Sequence, residues 1–164
     1  MISEAYVMRI REVLPEDRND VVKLLEATGV FKECEITVAD EVIQDSLNPS
    51  SGYHSLCSVN EENRAVGYVC WGSTPCTEGT YDLYWIAVHP DFQGNGIGKQ
   101  LLNVVEQDVV ERGGRLVVIE TSSLQDYEPT RRFYVNNGYK QLALVPNFYR
   151  QGDDLIIYGK NFIS

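Results

Sequence analysis

The sequence contains little positive charge. Lys and Arg number 14 against 24 Asp and Glu, which gives a formal net charge of -10 over 164 residues. A polyanion such as DNA, or an anionic membrane surface, would be repelled by this charge, and no cluster of basic residues offsets it locally. The composition therefore argues against a nucleic-acid or membrane partner.

Long apolar runs and metal-binding spacings are missing as well. No run approaches the roughly 18 apolar residues that a membrane span requires, and the N-terminal stretch lacks a signal-peptide core. The four cysteines, Cys34, Cys57, Cys70 and Cys76, form no C-x2-C pair, and the chain has 2 histidines. Zinc spacing is thus absent, and we expect no metal. Because a membrane span and a signal-peptide core are missing, we expect a cytoplasmic protein.

The length and the periodicity of the chain predict one α/β domain over residues 1–164. With 43% hydrophobic residues, the chain can bury a substantial core. The patterns predict strands over 6–13, 53–60, 65–73, 81–88, 115–120, 139–145 and 155–162, and helices over 15–28, 37–47, 98–112 and 129–135. A buried strand, a glycine-rich turn, a helix and a second buried strand indicate a right-handed parallel crossover.

The acidic excess lies entirely in the first part of the chain. Residues 1–92 carry 6 basic and 16 acidic side chains, whereas residues 93–164 carry 8 of each. The second part can therefore tolerate an anion, while the first part favours a cation.

A glycine-rich turn, Gln93-Gly94-Asn95-Gly96-Ile97-Gly98-Lys99, lies between a predicted buried strand and a helix start. Alternating glycines allow successive N–H groups to point toward one ligand, and the helix N-terminus adds a partial positive charge. A dinucleotide fingerprint would need glycine at Lys99, and a P-loop would need glycine at Gln93 and a hydroxyl at Gln100. The turn is therefore an anion-binding site of another kind.

The turn fits the pattern Q/R-x-x-G-x-G/A through Gln93, Gly96 and Gly98. Together with the preceding LYWIAVHP and the later RRFYVNNGY, it resembles the GNAT superfamily of acyl-CoA-dependent N-acetyltransferases, and the likeness covers most of the chain. The resemblance implies a mixed central sheet with flanking helices and splayed parallel central strands. It also implies acetyl transfer from acetyl-CoA to a primary amine through a tetrahedral intermediate.

The resemblance assigns acetyl-CoA to backbone groups. The pyrophosphate would lie on the N–H groups of Gly94, Asn95, Gly96, Ile97, Gly98 and Lys99. The pantetheine arm would pair with the preceding strand at Ile86, Ala87 and Val88, where an N–H would stabilise the oxyanion. The family asparagine and alanine that usually follow are replaced by Tyr127 and Thr130, so Thr130 and Arg131 are expected to contact the cofactor instead.

The resemblance also implies the proton-transfer groups. Tyr134 stands where the family places the phenol that protonates the departing thiolate. An amine with a pKa of about 10.4 must lose a proton, so a carboxylate base is expected. Asp82 and Glu120 both match base positions in relatives, and Glu120 ranks slightly ahead.

The sequence does not specify which amine accepts the acetyl group or whether the protein is catalytically active. Residues 17–45 carry eight acids against three bases, and the last loop adds Asp153 and Asp154, which favours a cationic amine such as an aminoglycoside, a polyamine or a basic peptide. The alternatives are a CoA-binding sensor without turnover and a donor such as succinyl-CoA. Dimerisation is common in the family, so a homodimer stays open, although no sequence feature marks an interface.

Overall fold

A computed structural model describes residues 8–163 and contains a seven-stranded mixed sheet with flanking helices. The strand order is β1-β2-β3-β4-β5-β7-β6. The strands are β1 Arg9–Glu12, β2 Tyr53–Val59, β3 Ala65–Ser73, β4 Thr80–Val88, β5 Leu116–Ser122, β6 Lys140–Arg150 and β7 Asp153–Asn161. The helices are α1 Arg18–Thr28, α2 Glu33–Ser46, α3 Ile97–Glu111 and α4 Glu128–Asn136. The predicted α/β fold class is confirmed.

The chain divides into two compact units. Within the described residues, the first unit comprises 8–71 and 85–105, and the second comprises 72–84 and 106–163.

The first unit buries an apolar core between helices and strands. Val21, Leu24 and Leu25 of α1 and Ile43 of α2 are almost completely buried, together with Tyr68 of β3. β1 pairs with β2 in antiparallel register; the predicted first strand also includes residues 6 and 7, which lie outside the described residues. α1 ends at Gly29, which has a φ of 69° and donates its N–H to Glu26 O, as its position after the apolar pattern predicts.

α2 begins at Glu33, four residues before the predicted start at Thr37. The pattern predicts a helix cap at Thr37, and this prediction is wrong. In the structure, the Glu35 carboxylate accepts the Lys32 backbone N–H at 2.7 Å, and the Thr37 hydroxyl donates to Glu33 O at 3.0 Å inside the helix. A glutamate that reaches back to the chain before the helix satisfies a free N–H group there, so the first turn forms without a Ser or Thr cap.

The second unit contains the parallel pair that the sequence predicts. β4 and β5 pair in parallel over Thr80–Asp82 and Leu116–Val118, while both strands extend beyond this short register, as expected for splayed central strands. β5 then pairs along its whole length with β7 in antiparallel register. β6 pairs with β7 and extends to Arg150, five residues past its predicted end, with register shifts at Gln141/Ala143 and Val145/Arg150.

Candidate active site

In the first unit, a short 3-10 turn over Pro90–Phe92 follows β4, and the glycine-rich turn then leads into α3. Gly94 and Gly96 have φ angles of 79° and 78°, and a Cβ on either would meet no atom within 4 Å. The turn therefore needs glycine for its left-handed backbone and not for lack of space. The first intrahelical bond joins Gln100 N to Gly96 O, so the preceding N–H groups at the start of α3 are available to an anion.

Two side chains fix the shape of this turn. Gln93 Nε2 donates to Val88 O at 3.0 Å, which ties the turn to the end of β4. Asn95 Nδ2 donates to Phe92 O at 3.2 Å. The sequence motif pointed to Gln93 as a cofactor-binding residue, and the structure adds a positioning contact that its side chain makes with the backbone.

Gly67 on β3 is a residue that sequence reasoning missed. A Cβ at this position would lie 3.1 Å from Ile97 Cγ2 and 3.1 Å from Leu101 Cδ1. The missing side chain therefore allows the N-terminal part of α3 to pack closely on β3. A glycine inside a predicted buried strand is the sequence signal that could have identified this close approach.

The three residues expected to bind pantetheine, Ile86, Ala87 and Val88, form the end of β4. Ala87 is buried, and Ile86 and Val88 are half-buried. The strand remains paired at its end, where His89 N donates to Val66 O at 2.8 Å.

In the second unit, Tyr134 of α4 is 5% exposed and lies among aromatic rings. Its ring centroid is 5.9 Å from that of Tyr139 and 6.2 Å from that of Tyr158. Burial raises the pKa of Tyr134 above its ordinary value. The phenol is therefore protonated at neutral pH, as an unperturbed tyrosine also is, and the raised pKa makes it a weaker acid.

Tyr139 is a second buried tyrosine next to Tyr134. Its hydroxyl is buried and has no hydrogen-bond partner among the described residues. Burial, followed by the nearby Glu106 charge, raises the pKa of Tyr139. Lys160 Nζ pairs with both Glu106 carboxylate oxygens at 3.0 Å and lies 5.7 Å from the centre of the Tyr139 ring.

The two candidate bases point to the same face of the second unit's strands. Asp82 is the register partner of Val118, and Glu120 follows Val118 by two residues on β5, so all three side chains share one face. The Thr74 hydroxyl donates to Asp82 Oδ2 at 2.7 Å. Glu120 is exposed, which leaves its carboxylate accessible to an acceptor.

Arg131 of α4 holds the segment that follows β5. Its Nη1 donates to Ser122 O at 2.7 Å and to Leu124 O at 2.8 Å. Thr130 is half-buried on the same helix. Arg132 pairs with Glu128 on the exposed helix surface.

Several of the acids from which the sequence predicts a cationic acceptor are paired or hydrogen-bonded within the protein. Asp17 pairs with Arg11, Asp20 with Arg64, and Asp40 with Arg18. The expectation for the last loop is wrong for Asp153, because this residue is fully buried and accepts the Ser122 hydroxyl. Asp154 Oδ1 accepts the Asn147 N–H at 2.8 Å. Ser122 and Asn147 were not singled out from the sequence, since their roles depend on tertiary contacts.

No group of three or more His, Cys, Asp or Glu side chains among residues 8–163 is arranged to hold a metal ion. Over the same residues, no helix is both long and apolar enough to cross a membrane.

Comparison with known proteins identifies the family. Residues 19–139 match the sequence model of the acetyltransferase (GNAT) family. The fold, the glycine turn after β4 and this match agree, and the chain belongs to the GNAT family of acetyltransferases.

The similar proteins are consistent with this family. A crystal structure of a candidate GNAT-family acetyltransferase from Desulfovibrio desulfuricans is 44% identical, with a TM-score of 0.90 over 94% of this chain and 99% of that chain. An aminoglycoside 6'-N-acetyltransferase complexed with coenzyme A is 22% identical, with a TM-score of 0.76 over 96% and 98% of the two chains, and shares the fold. An uncharacterised N-acetyltransferase from Methanocaldococcus jannaschii is 29% identical over 99 residues, or 58% of this chain. The match spans 59% of the length of that curated relative.

Proposed function

We propose that this protein transfers an acetyl group from acetyl-CoA directly to the nitrogen of a primary amine. The observation that carries the proposal is the left-handed glycine turn at Gly94 and Gly96, which precedes the first backbone bond of α3, from Gln100 N to Gly96 O, so that the N–H groups of the first helical turn lack an intrahelical partner. A diphosphate suits such a site because backbone donors and the helix dipole both favour an anion. The coenzyme A bound to the aminoglycoside acetyltransferase of the same fold supports this choice of donor.

The donor would be held mainly by backbone groups. The pyrophosphate would accept N–H groups from Gly94 to Lys99, and the pantetheine arm would follow the backbone of Ile86, Ala87 and Val88. The absence of acidic residues from the first turn of α3 is compatible with an anion there. Thr130 and Arg131 would add side-chain contacts, with Arg131 using nitrogens other than the Nη1 that holds Ser122 and Leu124.

Tyr134 would donate the proton that the departing thiolate needs. A tyrosine hydroxyl is protonated throughout the neutral pH range, and burial raises the pKa of Tyr134 further. The same burial makes the phenol a weaker acid, and the transfer therefore depends on thiolate charge that develops as the carbon–sulfur bond breaks.

A carboxylate would receive the amine proton, directly or through water. Glu120 fits this role better than Asp82, because Glu120 is exposed while Asp82 Oδ2 already accepts the Thr74 hydroxyl. The amine is a cation before it is deprotonated, and an acidic protein attracts it. The acceptor is therefore a cationic amine, either a small molecule or the amine of a peptide.

Replacement of Gly96 with Ala tests the donor site. Alanine is strained at a φ of 78°, so the turn should shift and the Kd for CoA should rise at least tenfold in calorimetric titration. Gly29→Ala is the matched control, because Gly29 also has a positive φ and open space around its Cβ position. The control should bind CoA within about twofold of the wild type at a similar cost in stability of about 1 kcal/mol. Equal CoA affinities for Gly96→Ala and the control would contradict the proposed donor site.

A further inference from the structure

One face of the second unit's strands carries a row of accessible side chains that begins at Glu120. Ile157 of β7 is the register partner of both Glu120 on β5 and Ala143 on β6. Register partners direct their side chains to the same face of a sheet. Glu120 and Ala143 are exposed and Ile157 is half-buried, so this row is open to solvent.

The neighbouring rows extend the apolar surface. Val145 of β6 is the partner of Leu155 and is 40% exposed. Val118 is half-buried, and Leu142 leans over Gly159, where a Cβ would clash with Leu142 Cδ1. We call this surface the apolar floor; it consists of Val118, Leu142, Ala143, Val145 and Ile157.

The charges around the apolar floor have a definite arrangement. Glu120 lies within its central row, and Asp82 lies in the row of Val118. Lys140, the register partner of Gly159, marks the β6 edge. An anionic group thus stands at the β5 side of an apolar surface, and a cation stands at its far edge.

We propose that the acceptor is a primary amine carried on an apolar alkyl or aryl group. Its ammonium would lie at Glu120, and its apolar body would cover the apolar floor across β7 toward β6, a distance of about 10 Å over two strand spacings. This inference rests on the proposed acetyl transfer, with Glu120 at the reacting amine. A polyamine fits less well, because its further charges would lie on apolar side chains and, at the far edge, near Lys140.

A second copy of the chain is a weaker occupant for the same surface. Docking two copies here would remove Glu120 from solvent, which costs free energy unless a cation such as the Lys140 of the other copy pairs with it. The net charge of -10 on each copy also opposes association. An amine with an apolar body brings its own cation to Glu120 and avoids both costs.

A series of straight-chain primary amines from ethylamine to octylamine tests this inference, with thiol release measured at saturating acetyl-CoA. We expect kcat/KM to rise about two- to fourfold for each added methylene and then to level off. Val145→Ser should reduce this dependence on chain length. Leu144→Ser should leave it unchanged, because Leu144 is 44% exposed but pairs with Ile156 on the opposite face. If Val145→Ser folds poorly, Val145→Thr replaces it in the experiment, because threonine keeps a β-branched side chain. Val145→Thr should also reduce the dependence on chain length.

The possible outcomes distinguish a failure of the inferred acceptor class from a failure of the proposed acetyl transfer. Thiol release at rates independent of chain length, or faster with spermidine than with octylamine, would overturn this inference and leave acetyl transfer intact. No thiol release with any amine would contradict the proposed function itself. A dimer in sedimentation analysis that Val145→Ser dissociates and Leu144→Ser leaves intact would assign the apolar floor to a second copy and overturn the inference.

Discussion

The Asp17 carboxylate is 2% exposed and accepts hydrogen bonds from two nitrogens of Arg11, at 2.6 and 2.9 Å. The Leu14 backbone N–H donates to it as well, at 2.7 Å. Burial acts to raise the pKa of Asp17, but these hydrogen bonds outweigh burial and the pKa lies below its ordinary value. A carboxyl with a lowered pKa stabilises the fold above its unfolded pKa of about 3.9, and this stability is lost as the pH falls through the folded-state pKa.

Asp17→Ala should therefore lower the free energy of unfolding by about 3 kcal/mol at pH 7, because it leaves Arg11 without its buried partner. The difference from the wild type should shrink as the pH is lowered below about 4. Urea unfolding at several pH values measures both effects. Asp40→Ala is the control: its pair with Arg18 is more exposed, and we expect a loss of about 1 kcal/mol or less. Equal small losses in the two variants would contradict the structural role of Asp17.

Residue roles were predictable where a local pattern determines them. Gly94 and Gly96 follow from a motif that requires left-handed backbone, and the structure has φ angles of 79° and 78° there. The internal use of Asp17 and Asp153 was not predictable, because their partners are fixed only when strands and helices pack. From sequence alone, these acids looked like surface charge available to a substrate.

The elements were predicted best where the apolar period is long and a glycine or proline ends it. The buried β4, the helix α3 after the glycine turn, and the parallel pairing of β4 with β5 all agree with the sequence patterns. α2 and β6 were misjudged at one end, because a glutamate supplies the α2 cap and because β6 continues past Pro146 as an irregular strand. Edge strands tolerate such proline and register shifts, so a local breaker does not fix their length.

The charge of α1 and α2 leads to a prediction about the acceptor. Their paired acids are partly neutralised by arginines, yet Glu26, Glu33, Glu41 and Asp45 remain exposed. Added salt screens attraction for a cation and repulsion of an anion by the same protein. We expect salt to raise the KM for the acceptor amine and to leave unchanged or lower the KM for acetyl-CoA, as measured between 0.02 and about 0.3 M ionic strength. Equal increases in both KM values would contradict a cationic acceptor.

The whole molecule combines two units whose boundaries cut through continuous elements. β3, β4 and α3 each run from one unit into the other, and the single domain over residues 1–164 stays a prediction. A single domain should give one cooperative transition in calorimetry, and two separate transitions would argue for two domains. The net charge of -10 argues against polyanionic partners such as DNA. For the whole molecule, it also favours a cationic acceptor over an anionic one.

Acetyl transfer with Tyr134 as proton donor is the central claim, and thiol release from acetyl-CoA in the presence of an amine tests it most directly. The wild type should release one thiol for each N-acetylated amine formed. Tyr134→Phe should lower kcat about 100-fold or more while the Kd for CoA stays unchanged. Tyr139→Phe, which removes a neighbouring buried hydroxyl, should keep kcat within about twofold of the wild type. Tight CoA binding without amine-dependent thiol release, or equal kcat values for Tyr134→Phe and the wild type, would contradict the account.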